Sequence, residues 1–142
     1  MLLSALEVFL MKMAAKPART PAAALGRILY AENDAKVLAE QAKLFERAGY
    51  TVECAEGRAA AQLALSKGVY DAIVLGHTLT KDDRHHLPYM AKKSSAHTAV
   101  LVLHASGKHP AVDIAIDSRE GDKAVLEALE SVVQQKALAA VS

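Results

Sequence analysis

The run Asp71-Ala72-Ile73-Val74-Leu75-Gly76-His77-Thr78 constrains the fold more than any other stretch of this chain. Its centre is continuously apolar, without the polar alternation of a strand that keeps one wet face. A short run of that kind suits a strand buried on both faces, at the middle of a parallel sheet. β/α patterning lies on either side of it. Ligands of doubly wound sheets bind where such strands end at their carboxyl edge, so chemistry is expected near Gly76. Glycine has no side chain with which to do any.

The flanking segments fill in that sheet. Ile28 to Ala31 reads as a strand, and Glu32-Asn33-Asp34 as its polar exit, with Asp34 placed to cap the next helix. In that helix Val37, Leu38, Ala42, Phe45 and Ala48 fall on one stripe, and Gly49 ends it. Thr51 to Cys54 forms a second strand. A helix from Gly57 to Ser66 turns the small residues Ala60, Ala61 and Ala64, with Leu65, toward the sheet. Beyond the central run, Thr80-Lys81-Asp82-Asp83 resembles a capping box with Asp83 in the usual Glu position, so a helix starts near Lys81. His86, Leu87 and Met90 share a face of it, and Pro88 either kinks the helix or marks a later start near Leu87. Ala99 to Leu103 and Val112 to Ile116 are two further strands. The last helix spans Asp122 to Ala137 and buries Val125, Leu126, Leu129, Val132 and Val133. Strands alternating with helices imply right-handed crossovers and an open parallel sheet with helices on both faces. Only seven residues separate His104 from Val112. A helical crossover needs a dozen or more, so a short loop is expected there, leaving one helical layer of the sheet open.

A chain of 142 residues is one domain by length. Residues 1–26 form an extension, 27–137 the domain and 138–142 a tail. The extension reads as a helix over Leu2 to Ala14, then a linker rich in Pro and Ala. The helix packs on the domain or on a second copy, or else the true start is Met11 or Met13. Lys12, Lys16 and Arg19 follow its apolar stretch instead of preceding it, the reverse of a secretory signal. A formal charge of +1, from 17 basic and 16 acidic residues, argues against a nucleic-acid or membrane surface. No apolar run approaches the roughly 20 residues that span a bilayer. The lone Cys54, read as a small buried hydrophobe, excludes an internal disulfide and fits a reducing cytoplasm.

Four segments, in this order and spacing, carry a resemblance. They are Arg27-Ile28-Leu29-Tyr30-Ala31-Glu32-Asn33-Asp34; Ala48-Gly49-Tyr50-Thr51-Val52 with Ala55-Glu56-Gly57; Tyr70-Asp71-Ala72-Ile73-Val74-Leu75; and Val100-Leu101-Val102-Leu103. Together they resemble the receiver (CheY-like) domain of bacterial two-component response regulators, over roughly 27–133. The resemblance implies a flavodoxin-like five-stranded parallel sheet in the order 2-1-3-4-5. It also implies an aspartyl-phosphate switch fed by a histidine kinase. There a carboxylate ends the third strand and an acidic pair after the first helps hold Mg²⁺. A hydroxyl after the fourth strand and a lysine after the fifth contact the phosphoryl oxygens.

Carried over position by position, the pattern departs from the family. The acceptor falls on Gly76. The acidic pair falls on Glu32 and Asn33, the hydroxyl on His104 with Ser106 beyond it, and the lysine near Asp117 and Ser118. The expectation is a degenerate phosphorylation pocket in a pseudo-receiver: no enzyme, no cofactor and no family-type Mg²⁺ binding. Asp71 lies about five residues back, roughly 16 Å away along the strand, and Asp82 and Asp83 read as helix caps, so none replaces the acceptor. Such a domain acts through a protein partner, which is a kinase, a regulator or a second copy in a homodimer. The surface bared between the fourth and fifth strands is the candidate contact, and no output domain is expected after the last helix.

A second reading stays open. Glu32, His77 and His104 all follow strands at the carboxyl edge, and imidazole with carboxylate suits Zn²⁺ or Ni²⁺. That would make the chain a small-ligand or transition-metal-binding α/β domain; the plainer view makes the histidines polar fillers. His85-His86 reads as helix surface with one partly buried neighbour. Ser118-Arg119-Glu120-Gly121 suits capping of the last helix better than anion binding. No G-x-G-x-x-G loop and no nucleophile–base pair supports an enzyme.

Overall fold

Asp34 decides where the first strand gives way to a helix. A computed structural model describes residues 25–103 and 110–141. In it the Asp34 carboxylate accepts the backbone N–H groups of Lys36 at 2.9 Å and Val37 at 3.1 Å. Strand β1 (Arg27–Glu32) therefore ends in helix α1 (Ala35–Arg47). Leu38, Ala42 and Phe45 are the buried stripe of that helix. Gly49 turns the chain out of it at φ +112°, where a side chain would be strained and a Cβ would also meet Leu25 at 2.9 Å. An Asp34→Ala variant should lose about 1 kcal/mol in urea denaturation, the usual worth of such a cap. A loss under a few tenths would mean the first turn is held by other contacts.

The chain continues through β2 (Thr51–Glu56), α2 (Gly57–Lys67), β3 (Ala72–Leu75), α3 (Lys81–Ser94), β4 (Ala99–Leu103), β5 (Ile114–Ile116) and α4 (Asp122–Val141). The strands form one sheet in the order β2-β1-β3-β4-β5, and every pairing is parallel. All of β3 and β4 is buried, as continuous apolar runs between two helical layers should be. Ile28, Tyr30, Val74 and Leu101 face α1 and α4, alongside Phe45, Val125 and Leu129. Leu29, Ala31, Ile73, Leu75, Val100 and Val102 face α2 and α3, alongside Ala61, Ala64 and Leu87.

Several expectations change. Helix α3 does start at Lys81, where the Thr80 hydroxyl accepts the Asp83 N–H at 3.0 Å, and Pro88 lies in its interior, which removes the alternative start near Leu87. His86 is exposed, so it does not share the buried face with Leu87. Leu126 and Val133 are only partly buried, and α4 runs past Ala137 to Val141. Strand β5 begins at Ile114, not Val112. Cys54 is exposed, on a strand at the edge of the sheet.

Among the described residues no helix lies between β4 and β5. Val100 and Val102 are buried under α3, Ala111 is buried as well, and only Ala115 of β5 is exposed. The extension up to residue 24, and the loop with His104 and Ser106, lie outside the described residues. Among those described, no helix is long and apolar enough to cross a membrane.

Candidate functional site

At the carboxyl edge of the sheet, Tyr30 and Glu32 are two apart on β1 and so project to the same side. That side faces α1, and the Tyr30 ring packs edge-on against Phe45 with centroids 5.3 Å apart. One position further along, Glu32 leans over the end of β3. A Cβ placed on Gly76 would overlap the carboxyl carbon and both carboxyl oxygens of Glu32. The volume that a side chain at Gly76 would need is filled by a carboxylate from the neighbouring strand.

That carboxylate is 0 % exposed, and such burial is costly unless every oxygen is satisfied. The Tyr30 hydroxyl donates to Oε2. Oε1 accepts both the Thr78 backbone N–H, at 2.9 Å, and the Thr78 hydroxyl, at 2.6 Å. Thr78 Oγ1 in turn accepts the backbone N–H groups of Asn33, at 2.8 Å, and Asp34, at 3.1 Å. The network closes on itself: the β1–α1 turn hangs on Thr78, Thr78 on Glu32, and Glu32 on Tyr30. Burial, followed by the bond to Glu32, pushes the Tyr30 hydroxyl far above the ordinary phenol value. It therefore stays protonated and donates.

The other residues singled out in the sequence are placed as follows. The Asn33 side chain is exposed at the turn, and only its backbone joins in. Asp117, beyond β5, accepts the Arg119 side chain at 2.9 Å and the Arg119 N–H at 2.9 Å. His77 is exposed on the loop between Gly76 and Thr78. His104 lies outside the described residues. Asp71 accepts the Arg27 N–H at 2.7 Å at the amino edge of the sheet. Asp83 is buried, with its carboxylate 3.8 Å from Arg58 of α2. Among the described residues no group of three or more His, Cys, Asp or Glu is arranged to hold a metal ion.

Among the described residues, those at the receiver-type pocket do not fit the magnesium ion that such a pocket implies. Mg²⁺ demands near-octahedral oxygen ligands and is usually held by one or two carboxylates together with several waters. Here both Glu32 oxygens are buried and occupied by hydrogen bonds, and Gly76 offers no side-chain oxygen. Sequence reasoning missed Tyr30 and Thr78. Tyr30 was legible as the same-side neighbour of Glu32, two positions back; Thr78 carried no signal beyond lying two residues after the glycine.

The strand order, with crossover helices on both faces, defines a flavodoxin-like doubly wound domain. Within that class the fold is that of response-regulator receivers. No protein-family model and no curated protein matches the chain. By structure it is similar to a response regulator receiver domain protein (CheY-like) from Methanospirillum hungatei JF-1, at 16% identity and TM-score 0.68. That match covers 78% of this chain and 94% of the other. A response regulator receiver protein from Sinorhizobium medicae WSM419 matches at 18% identity and TM-score 0.67, over 78% and 95%. The receiver domain of a sensor histidine kinase from Pseudomonas aeruginosa PAO1 holds a magnesium ion coordinated in its active-site cleft. It matches at 13% identity and TM-score 0.65, over 77% and 98%.

Proposed function

We propose that this chain is a receiver-type module of two-component signalling that works through protein contact and does not accept a phosphoryl group. One observation carries the reading: the acceptor position is Gly76, and its space belongs to a fully buried Glu32. A phosphoryl acceptor needs a nucleophilic oxygen open to the donor. Glu32 is closed off, Asp71 is at the opposite edge, and Asp83 faces α2. The degenerate pocket of Glu32, Asn33, Gly76, His104 and Asp117 is then a structural remnant, and the domain's output is a surface offered to a kinase, a regulator or a second copy. A cytoplasmic setting suits the exposed thiol of Cys54, which a reducing compartment keeps free.

The test is incubation with acetyl phosphate and excess Mg²⁺, followed by intact-mass spectrometry. The expected result is no mass gain of a phosphoryl group, at a level where an authentic receiver is largely converted. Stoichiometric, acid-stable but base-labile incorporation would overturn the reading. The metal-binding alternative has less support, because Glu32 would have to abandon three hydrogen bonds to serve as a ligand.

A further inference from the structure

We infer that Glu32 is a latch: an internal carboxylate that takes over the acceptor's space and, through Thr78, holds the carboxyl edge of the sheet in a single state without metal or phosphoryl group. The inference rests on the receiver-type reading above and adds what keeps the pocket shut.

The geometry is specific. A switch at this edge needs the loop after β3 to choose between two arrangements, because coupling travels through elements that have two discrete states. Thr78 sits in that loop. Its hydroxyl donates to Glu32 and accepts from Asn33 and Asp34, and its N–H donates to Glu32 as well. Moving Thr78 away would strand a fully buried carboxylate and expose two backbone donors at once. Leaving a buried charged group unsatisfied costs more than any single hydrogen bond returns.

The latch also reaches α1 at both ends. The Asp34 backbone is held by Thr78 while its side chain caps the first turn of the helix. Near the other end, Phe45 packs on Tyr30, whose hydroxyl holds Glu32. The β3–α3 loop, β1 and α1 therefore form one unit around a single carboxylate. An incoming phosphoryl group or cation would find neither the space nor the free oxygens.

Residue-resolved amide hydrogen exchange on the full chain tests this. In the wild type the amides of Asn33, Asp34 and Thr78 should be protected, and an excess of Mg²⁺ should leave their rates unchanged. Thr78→Val, which keeps the shape and removes the hydroxyl, should speed exchange at Asn33 and Asp34 about tenfold, the equivalent of one hydrogen bond. The sheet amides of Tyr30 and Val74 should hold their rates. Glu32→Ala should add Thr78 to the accelerated set; if that variant does not fold, Thr78→Val alone decides.

Wild-type amides that already exchange freely, uniform acceleration across the sheet, or a response to Mg²⁺ at these three positions would each overturn the latch. The two proposals fail separately. Phosphoryl uptake on a side chain away from this edge, with the three amides still protected, would sink the functional reading and leave the latch standing. Unprotected amides with no phosphoryl uptake would do the opposite.

Discussion

A Gly76→Asp variant, the substitution that nominally restores the acceptor, is expected to lose about 4 kcal/mol of stability and to gain no phosphorylation. The backbone is not the obstacle, because Gly76 does not sit in the left-handed region and any residue could adopt its conformation. The obstacle is Glu32, whose carboxylate fills the position of the new Cβ. Overpacking a filled site costs about 1–3 kcal/mol. A second carboxylate beside a fully buried first one adds several more unless one of them takes a proton.

The relief should be equally specific. Glu32→Ala clears the space and leaves the Tyr30 hydroxyl and the Thr78 donors for the incoming aspartate. The Glu32→Ala/Gly76→Asp pair should therefore recover at least about 2 kcal/mol over Gly76→Asp alone, a coupling typical of residues in direct contact. Urea denaturation of the four proteins closes the cycle. A single Gly76→Asp within about 1 kcal/mol of the wild type, or strictly additive effects, would show that the carboxylate does not occupy that space.

The sheet was legible because its signals are local. The continuous apolar runs at 72–75 and 99–103 admit little besides buried parallel strands, and Asp34 and Gly49 mark the two ends of α1 by their own chemistry. What could not be read depended on neighbours distant in the chain. Cys54 looks apolar in sequence, yet whether it is covered depends on which strand ends up at the edge. The short β4–β5 connection signalled a missing helix, but not that Leu87 and Ala91 of α3 would bury against Val100 and Val102 of β4. In the site, the missing acid at Gly76 was visible as a letter. Its replacement was not, because Glu32 reaches that space across a strand pairing and has to be carried there by register: Ala31 pairs with Leu75, placing Glu32 alongside Gly76.

Among the described residues no helix lies between β4 and β5, and Asp113 is expected to brace that edge of the sheet. Just before β5, its carboxylate accepts the Val100 N–H at 2.7 Å, the Lys92 ammonium of α3 at 2.6 Å and the Lys136 ammonium of α4 at 3.1 Å. Lys92 also donates to the Thr98 carbonyl at 2.7 Å. One side chain thus joins β4, β5 and both helical layers.

Burial pulls the Lys92 ammonium below its usual value despite this pairing, so removing the carboxylate would leave a half-buried cation without its counter-charge. Asp113→Ala should cost about 2 kcal/mol, between an exposed and a buried ion pair, because all three groups keep some solvent contact. Asp113→Asn keeps an acceptor for Val100 and should cost about half as much. Burial pushes the Asp113 carboxyl up, but the bonds from Lys92, Val100 and Lys136 outweigh it and hold the group below its ordinary value. Its contribution is therefore fully present above the unfolded carboxylate range near pH ~4 and is lost as pH falls through the lower folded value. The stability gap between the wild type and Asp113→Asn should accordingly be constant from pH 5 to 7 and close on acidification below about pH 4. A gap that persisted into strong acid, or an Asp113→Ala protein as stable as the wild type, would show that β5 is held by the ladder to β4 alone.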